Sequence, residues 1–197
     1  HHERMLHSFE KGPSTKLRAG RSKSVGVYLG PCRMTKAEVI TKEDSRYPLL
    51  LKELGDAPKK LYYKGDWNPK LFEHCLAVVG TRRMTTYGKR VTEQLVGEIA
   101  VAGVTIVSGF MYGVDATAHK TTIDNGGKTI AVLGCGVDCC YPRENEKLYG
   151  EILDSGGAVV SEYGLGVPPS IGSFPSRNRI IAGLSHGVVV TEGAADS

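Results

Sequence analysis

The chain has 197 residues, 41% of them hydrophobic, and a formal net charge of +4, enough for one well-cored domain with extensions. No apolar run reaches the roughly 18 residues that cross a bilayer, and no signal peptide is visible, so a cytoplasmic location is expected. The charge is local: residues 1–24 carry six Lys/Arg against two Asp/Glu, whereas residues 25–197 carry nineteen of each. The body is therefore not a generally basic polyanion binder, and any phosphate site must rest on a local cluster. Five cysteines (Cys32, Cys75, Cys135, Cys139, Cys140), odd in number and irregular in spacing, argue against a disulfide framework. None of the three in the 135–140 stretch has C-x₂-C spacing, so no metal site is expected and they read as small apolar residues.

Residues 1–24 are polar, basic and aperiodic and read as a tail. Residues 25–75 read as an N-terminal extension leading into the core, with a short helix around Tyr47–Leu54 and a strand at Lys60–Lys64. From Leu76 to the end the pattern is regular. Short apolar runs at 76–79, 104–107, 129–133, 158–160 and 188–191 alternate with helical segments at about 87–101, 113–124, 142–154 and 175–184. Near-continuous apolar strands fit parallel strands covered on both faces. The alternation predicts an α/β fold, a doubly wound parallel sheet of extended Rossmann-like type.

Ligands of such sheets bind beyond the carboxyl ends of the strands. The residues that follow the five predicted strands are Gly80-Thr81-Arg82, Ser108-Gly109, Gly134-Cys135-Gly136, Ser161-Glu162 and Glu192-Gly193. Gly80 and Gly134 are the best placed to let backbone approach a ligand. There is no G-x-G-x-x-G and no G-x-x-x-x-G-K-[ST], which excludes the usual dinucleotide and P-loop fingerprints. Arg82 sits at the expected ligand edge. Arg143 and Lys147 lie four apart beside the third loop, while Lys89 and Arg90 read as a solvated helix face. Near the end, Pro175 is expected to open a helix that carries Arg177, Asn178 and Arg179 in its first turn, where helix N–H groups attract anions. The Ile180-Ile181-Ala182-Gly183-Leu184 run should pack that helix down. Asp115 and His119, four apart, are either a dyad or, as this reading prefers, a helix cap and a structural histidine. No catalytic constellation emerges.

Several of these segments resemble, in order, the DNA-processing protein A (DprA/Smf) family. They are Val78-Val79-Gly80-Thr81-Arg82 with Tyr87-Gly88, Ser108 through His119, Val132 through Asp138 with Tyr141-Pro142-Arg143, Ser161-Glu162, and Phe174 through Ser185. The resemblance covers roughly residues 42–197. It implies a Rossmann-like domain that binds single-stranded DNA in a basic pocket, forms homodimers, and loads the RecA recombinase onto incoming strands during natural transformation. Carried over by position, Arg82, Lys147, Arg177 and Arg179 would contact phosphate, and Gly80 and Gly134 would shape the pocket floor. The family commonly has a small and then a basic residue where Met111-Tyr112 stand; Tyr112 would offer base stacking in place of a charge. The family also continues past residue 197 with a further helix, so the sequence reads as incomplete at its C-terminal end. No cofactor and no enzymatic activity are implied. The alternative is a nucleotide-processing enzyme similar to the lysine-decarboxylase-like phosphoribohydrolases. Their glycine-rich catalytic motif is absent, and Glu192-Gly193-Ala194 is the nearest local feature.

Overall fold

The computed structural model describes residues 36–193; the basic segment 1–24 and Cys32 lie outside them. Seven strands form one sheet: β1 (Glu38–Thr41), β2 (Lys60–Gly65), β3 (Cys75–Val79), β4 (Thr105–Ser108), β5 (Thr129–Val132), β6 (Ala158–Ser161) and β7 (Gly187–Val190). Their spatial order is β1-β2-β6-β5-β4-β3-β7. The last five are mutually parallel, while β1 and β2 extend the sheet antiparallel beyond β6. This is the α/β, Rossmann-like arrangement expected from the strand–helix alternation.

Helices cover both faces. On one lie α2 (Thr86–Val101), α3 (Val114–Asp124) and α4 (Glu146–Asp154); on the other lie α1 (Leu49–Lys52) and α5 (Ser173–Gly183). Strand residues alternate between the two sides, as the two-residue period of a strand requires. Val78 and Ile106 meet Val96, Val114 and Ala118 of α2 and α3. Ala131 and Val159 meet Tyr149 and Ile152 of α4. Ala77, Val107, Ile130 and Val132 meet Leu51, Ile180, Ile181 and Leu184 around α1 and α5. Each fully buried Leu or Ile there contributes about 1.5–3 kcal/mol. The chain steps β3, β4, β5, β6 in one direction with helices on one face. It then returns past three strands to β7, and a right-handed crossover puts α5 on the opposite face.

Four expectations shift in detail. The strand β1 was not legible, because four residues with only one buried carry little pattern. The segment predicted as a helix from 142 begins as a 3₁₀ turn at Arg143–Asn145, and α4 proper starts at Glu146. Helix α5 starts at Ser173, two residues before Pro175. The Ser170 and Ser173 side chains each accept the other's backbone N–H, at 3.0 and 3.2 Å, and so close the turn earlier. Pro175 still sits where a missing N–H costs nothing, but Arg177 and Arg179 fall beyond the first turn. Finally, β7 is not covered on both faces: Val188 and Val190 are 54% and 62% exposed, because it is an edge strand and no described helix covers that side.

Candidate functional site

The strand order reverses at β3. Its neighbours β4 and β7 connect in opposite directions, which opens a crevice at the carboxyl ends of the strands. A cavity of about 260 Å³ lies there, lined by Val79, Gly80, Arg82, Met111, Asp115, Arg177, Asn178, Ile181, Ala182 and Val188. A larger cavity of about 530 Å³ lies at the other end of the strands, between Arg46, Tyr47, Leu49, Phe72 and His186. Its arginine is already paired with Asp44 at 2.8 Å, so it offers no converging free cation.

The loop after β3 is held by its neighbours. Thr81 N–H donates to the Glu192 carbonyl at 2.8 Å, and Val114 N–H donates to the Thr81 carbonyl at 3.2 Å. A Cβ at Gly80 would run into the Glu192 carbonyl and Val114. Gly113 has φ +74°, and a Cβ there would strike the Thr81 carbonyl, so only glycine suits that contact. The result presents Arg82 at the surface. Its guanidinium lies over the Phe174 ring, 5.6 Å from the centroid, and no carboxylate among the described residues pairs with it. Phe174 packs against Tyr141 (5.5 Å between centroids) and lies against Gly134, where an added Cβ would come within 3.1 Å of the ring. A cation on an aromatic face, beside a second ring, can meet phosphate and stack a base.

The other predicted cations are placed differently. Arg177 turns inward and is only 4% exposed. Its Nη1 donates to the Val132 carbonyl, and its Nη2 lies 3.5 Å from Asp115 Oδ2. Burial pulls its pKa down and Asp115 opposes that shift. Asp115 Oδ2 also accepts Met111 N–H at 3.2 Å. Arg179 lies between two carboxylates, Glu162 at 2.6 Å and Asp56 at 3.0 Å, and does not line the Arg82 cavity. Lys147 is exposed on α4, 3.5 Å from Glu151 and outside that cavity. Lys89 pairs loosely with Glu93 across one helix turn. Tyr112 is 42% exposed, and its hydroxyl donates to Glu144 Oε2 at 2.7 Å, which pushes its pKa to about 12. The structure therefore gathers Gly80, Arg82 and one edge of Arg177 around a single cavity, with Gly134 behind Phe174. Arg179 and Lys147 stand apart from it.

Asp115 and His119 do approach each other, but not as a working dyad. His119 is fully buried; its Nε2–H donates to the Gly109 carbonyl and its Nδ1 shares a hydrogen bond with the Thr129 hydroxyl, both at 2.6 Å. Burial holds its pKa below the ordinary histidine value, and no ring nitrogen is left for a ligand. The four described cysteines are buried, and no two of them are bonded to each other; burial pushes the Cys75 thiol up to about 12. Local pattern reading missed the role of Phe174 beneath Arg82. It also missed the role of Glu192, whose Oε2 accepts Thr85 N–H at 2.9 Å across 107 residues of sequence.

A doubly wound sheet with a cation-bearing crevice at its switch point defines a Rossmann-like binding domain. The family of DNA recombination-mediator protein A matches residues 38–197, and the chain belongs to that family. Smf of Synechocystis is 41% identical over 163 residues, covering 81% of this chain and 41% of that protein. DprA of Streptococcus pneumoniae is 44% identical over 149 residues, covering 76% and 52%. The chain thus spans about half the length of these curated relatives. The crystal structure of S. pneumoniae DprA superposes with a TM-score of 0.74 at 40% identity, over 85% of this chain and 57% of that one. DprA of Helicobacter pylori, a protein described for its single-stranded DNA binding mode, superposes at 0.73 with 35% identity, over 83% and 73%. No described helix is long and apolar enough to cross a membrane.

Proposed function

We propose that this chain binds single-stranded DNA along the carboxyl edge of its sheet and serves as the DNA-binding part of a recombination mediator. The observation that carries the reading is Arg82: an exposed guanidinium, unpaired among the described residues and seated on Phe174 at the mouth of the switch-point cavity. In this reading Arg82 takes a backbone phosphate, and the exposed ring of Tyr112 together with the Phe174–Tyr141 pair offers faces to unpaired bases. Stacking of this kind adds about 1–3 kcal/mol per base, and only where bases are free. Gly80 lets the Arg82 loop close against the Glu192 carbonyl and Val114, and Gly134 leaves room for the Phe174 ring. Strand phosphate reaching Arg179 would compete with Glu162 and Asp56, and Lys147 would serve only a strand that extends past α4. Family membership and the H. pylori neighbour support the ligand class. RecA loading, protection of incoming DNA, and a homodimer belong to the same proposal for the longer protein.

The non-enzymatic reading is supported by how the polar groups are spent. His119 is enclosed, Asp115 is bound to Arg177 and Met111, and the Glu192 carboxylate is engaged at the start of α2. The alternative of nucleotide hydrolysis would need one of them to act as an acid or base. The test is fluorescence anisotropy with oligo-dT against a matched duplex at equal salt, alongside chromatography of AMP after long incubation. Tighter binding of oligo-dT with no base released supports the proposal. Equal affinity for duplex, or turnover that is lost on changing Glu192, refutes it.

A further inference from the structure

The loop that carries Arg82 runs into α2, whose buried residues are Gly88, Thr92, Val96 and Ala100. At 3.6 residues per turn this spacing puts Tyr87 and Arg90 on the opposite, solvent-facing side of the helix. Tyr87 is 68% exposed, more than any other tyrosine, phenylalanine or tryptophan among the described residues. No ring and no cation covers its face there. Arg83 and Arg90 flank it in sequence and are both exposed. Neither has a carboxylate partner among the described residues, whereas Arg46, Lys120, Lys147, Arg177 and Arg179 each have one. Lys89, beside Arg90, leans on Glu93 at 3.7 Å. The N–H donors of the first turn of α2 play no part in this surface, because Glu192 takes Thr85 N–H and the Thr85 hydroxyl takes Gly88 N–H. What α2 offers outward is one bare aromatic face between two uncompensated guanidinium groups.

We infer that Arg83, Tyr87 and Arg90 form a second contact tract for single-stranded DNA, which continues the Arg82 edge over the outer side of α2. The inference rests on the reading of the Arg82 edge as a strand-phosphate site. Arg82 and Arg83 are consecutive, so a strand that lies on the first passes directly to the second. Tyr87 then offers its ring to an unpaired base, and Arg83 and Arg90 offer positive charge to the phosphates on either side. Along the helix axis Tyr87 and Arg90 are separated by only about 4.5 Å, so base and phosphate contacts fall close together. The alternation of cation, ring and cation matches the phosphate–base–phosphate order of a single strand. A duplex keeps its bases stacked inside and would meet only the two guanidinium groups. The Lys89-Arg90 pair thus divides: Lys89 remains part of a solvated face, and Arg90 belongs to the tract.

The experiment measures oligo-dT binding across a salt series for the wild-type chain, Tyr87→Ala, Tyr87→Phe, the double variant Arg83→Ala with Arg90→Ala, and Arg82→Ala. Loss of one stacked base should weaken Tyr87→Ala by about fivefold to a hundredfold, while Tyr87→Phe, which keeps the ring, stays near wild type. The double arginine variant should flatten the log–log salt slope by about 1.4, the sum for two phosphates. A folded Tyr87→Ala with wild-type affinity overturns the inference, and so does a double variant with the wild-type slope. Photocrosslinking of the wild-type chain to an oligonucleotide carrying 5-iododeoxyuridine decides the matter even if a variant does not fold: an adduct on Tyr87 supports the tract, and adducts confined to other residues overturn it. The two readings fail separately. If Arg82→Ala weakens binding and the α2 variants do not, the tract alone falls. If the α2 variants weaken binding and Arg82→Ala does not, the Arg82 reading alone falls. A wild-type chain that does not bind oligo-dT refutes both.

Discussion

The loop after β3 and the helix before β7 both bring arginines to the carboxyl edge of one sheet, and the two regions treat them in opposite ways. Arg82 projects from a loop clamped by Glu192 and Val114, with an aromatic ring beneath it and no carboxylate beside it among the described residues. Arg177 is drawn into the protein by Asp115 and the Val132 carbonyl, and Arg179 is held by Glu162 and Asp56. Residue type and strand-end position are therefore insufficient to make a phosphate contact. What decides is which acidic side chains other elements deliver to the same place, and those come from residues distant in sequence.

The comparison is broken most sharply at Arg177. Replacing it with Met should strand Asp115 as a buried, unpaired carboxylate and cost about 3–5 kcal/mol in urea denaturation. The charge-balanced pair Arg177→Met with Asp115→Asn should recover most of that loss. A single variant within about 1 kcal/mol of wild type would show that Arg177 is not an internal cation. His119 sharpens the same region through pH. Burial lowers its pKa in the folded state, so the unfolded chain takes up a proton more readily. The associated stability is complete above about 6.5, the unperturbed histidine value, and falls as pH drops below it. Thermal melts between pH 7.5 and 5.5 should show this slope, and His119→Gln should flatten it. The next effect is smaller. Arg179→Ala should cost about 1 kcal/mol, since its pairs are partly solvated. It should also change the salt dependence of DNA binding less than loss of Arg82 does. Smallest of all, Lys89→Ala and Lys147→Ala should stay within about 0.5 kcal/mol in stability; a large loss at either would mean that the α2 or α4 surface takes part after all.

Much of this architecture was legible because its signals are local. The five parallel strands and the helices between them were each found within a few residues, since an apolar run followed by a glycine turn and an amphipathic helix is a short-range pattern. Gly80 and Arg82 were also within reach, because the residues just after a parallel strand are placed by the fold class alone. The fates of Arg177 and Arg179 were not. A helical arginine turns inward only if a carboxylate waits there, and Asp115 and Glu162 lie 62 and 17 residues away in sequence. Glu192 was visible as a strand-end acid, but its grip on Thr85 depends on β7 returning beside β3. The early start of α5 depended on the reciprocal Ser170–Ser173 bonds, which override the usual sign of a proline at the first helical position.

The central claim is that Arg82 alone among these arginines is free to meet DNA, and the most direct test is the salt dependence of oligo-dT binding for wild type and Arg82→Ala. If Arg82 neutralises one phosphate, the variant should bind more weakly, and its log–log slope should flatten by about 0.7. Its stability should fall by no more than about 1 kcal/mol, the worth of an exposed cation–π contact with Phe174, because no carboxylate among the described residues pairs with it. An Arg82→Ala protein that keeps both the affinity and the slope of wild type would contradict the claim.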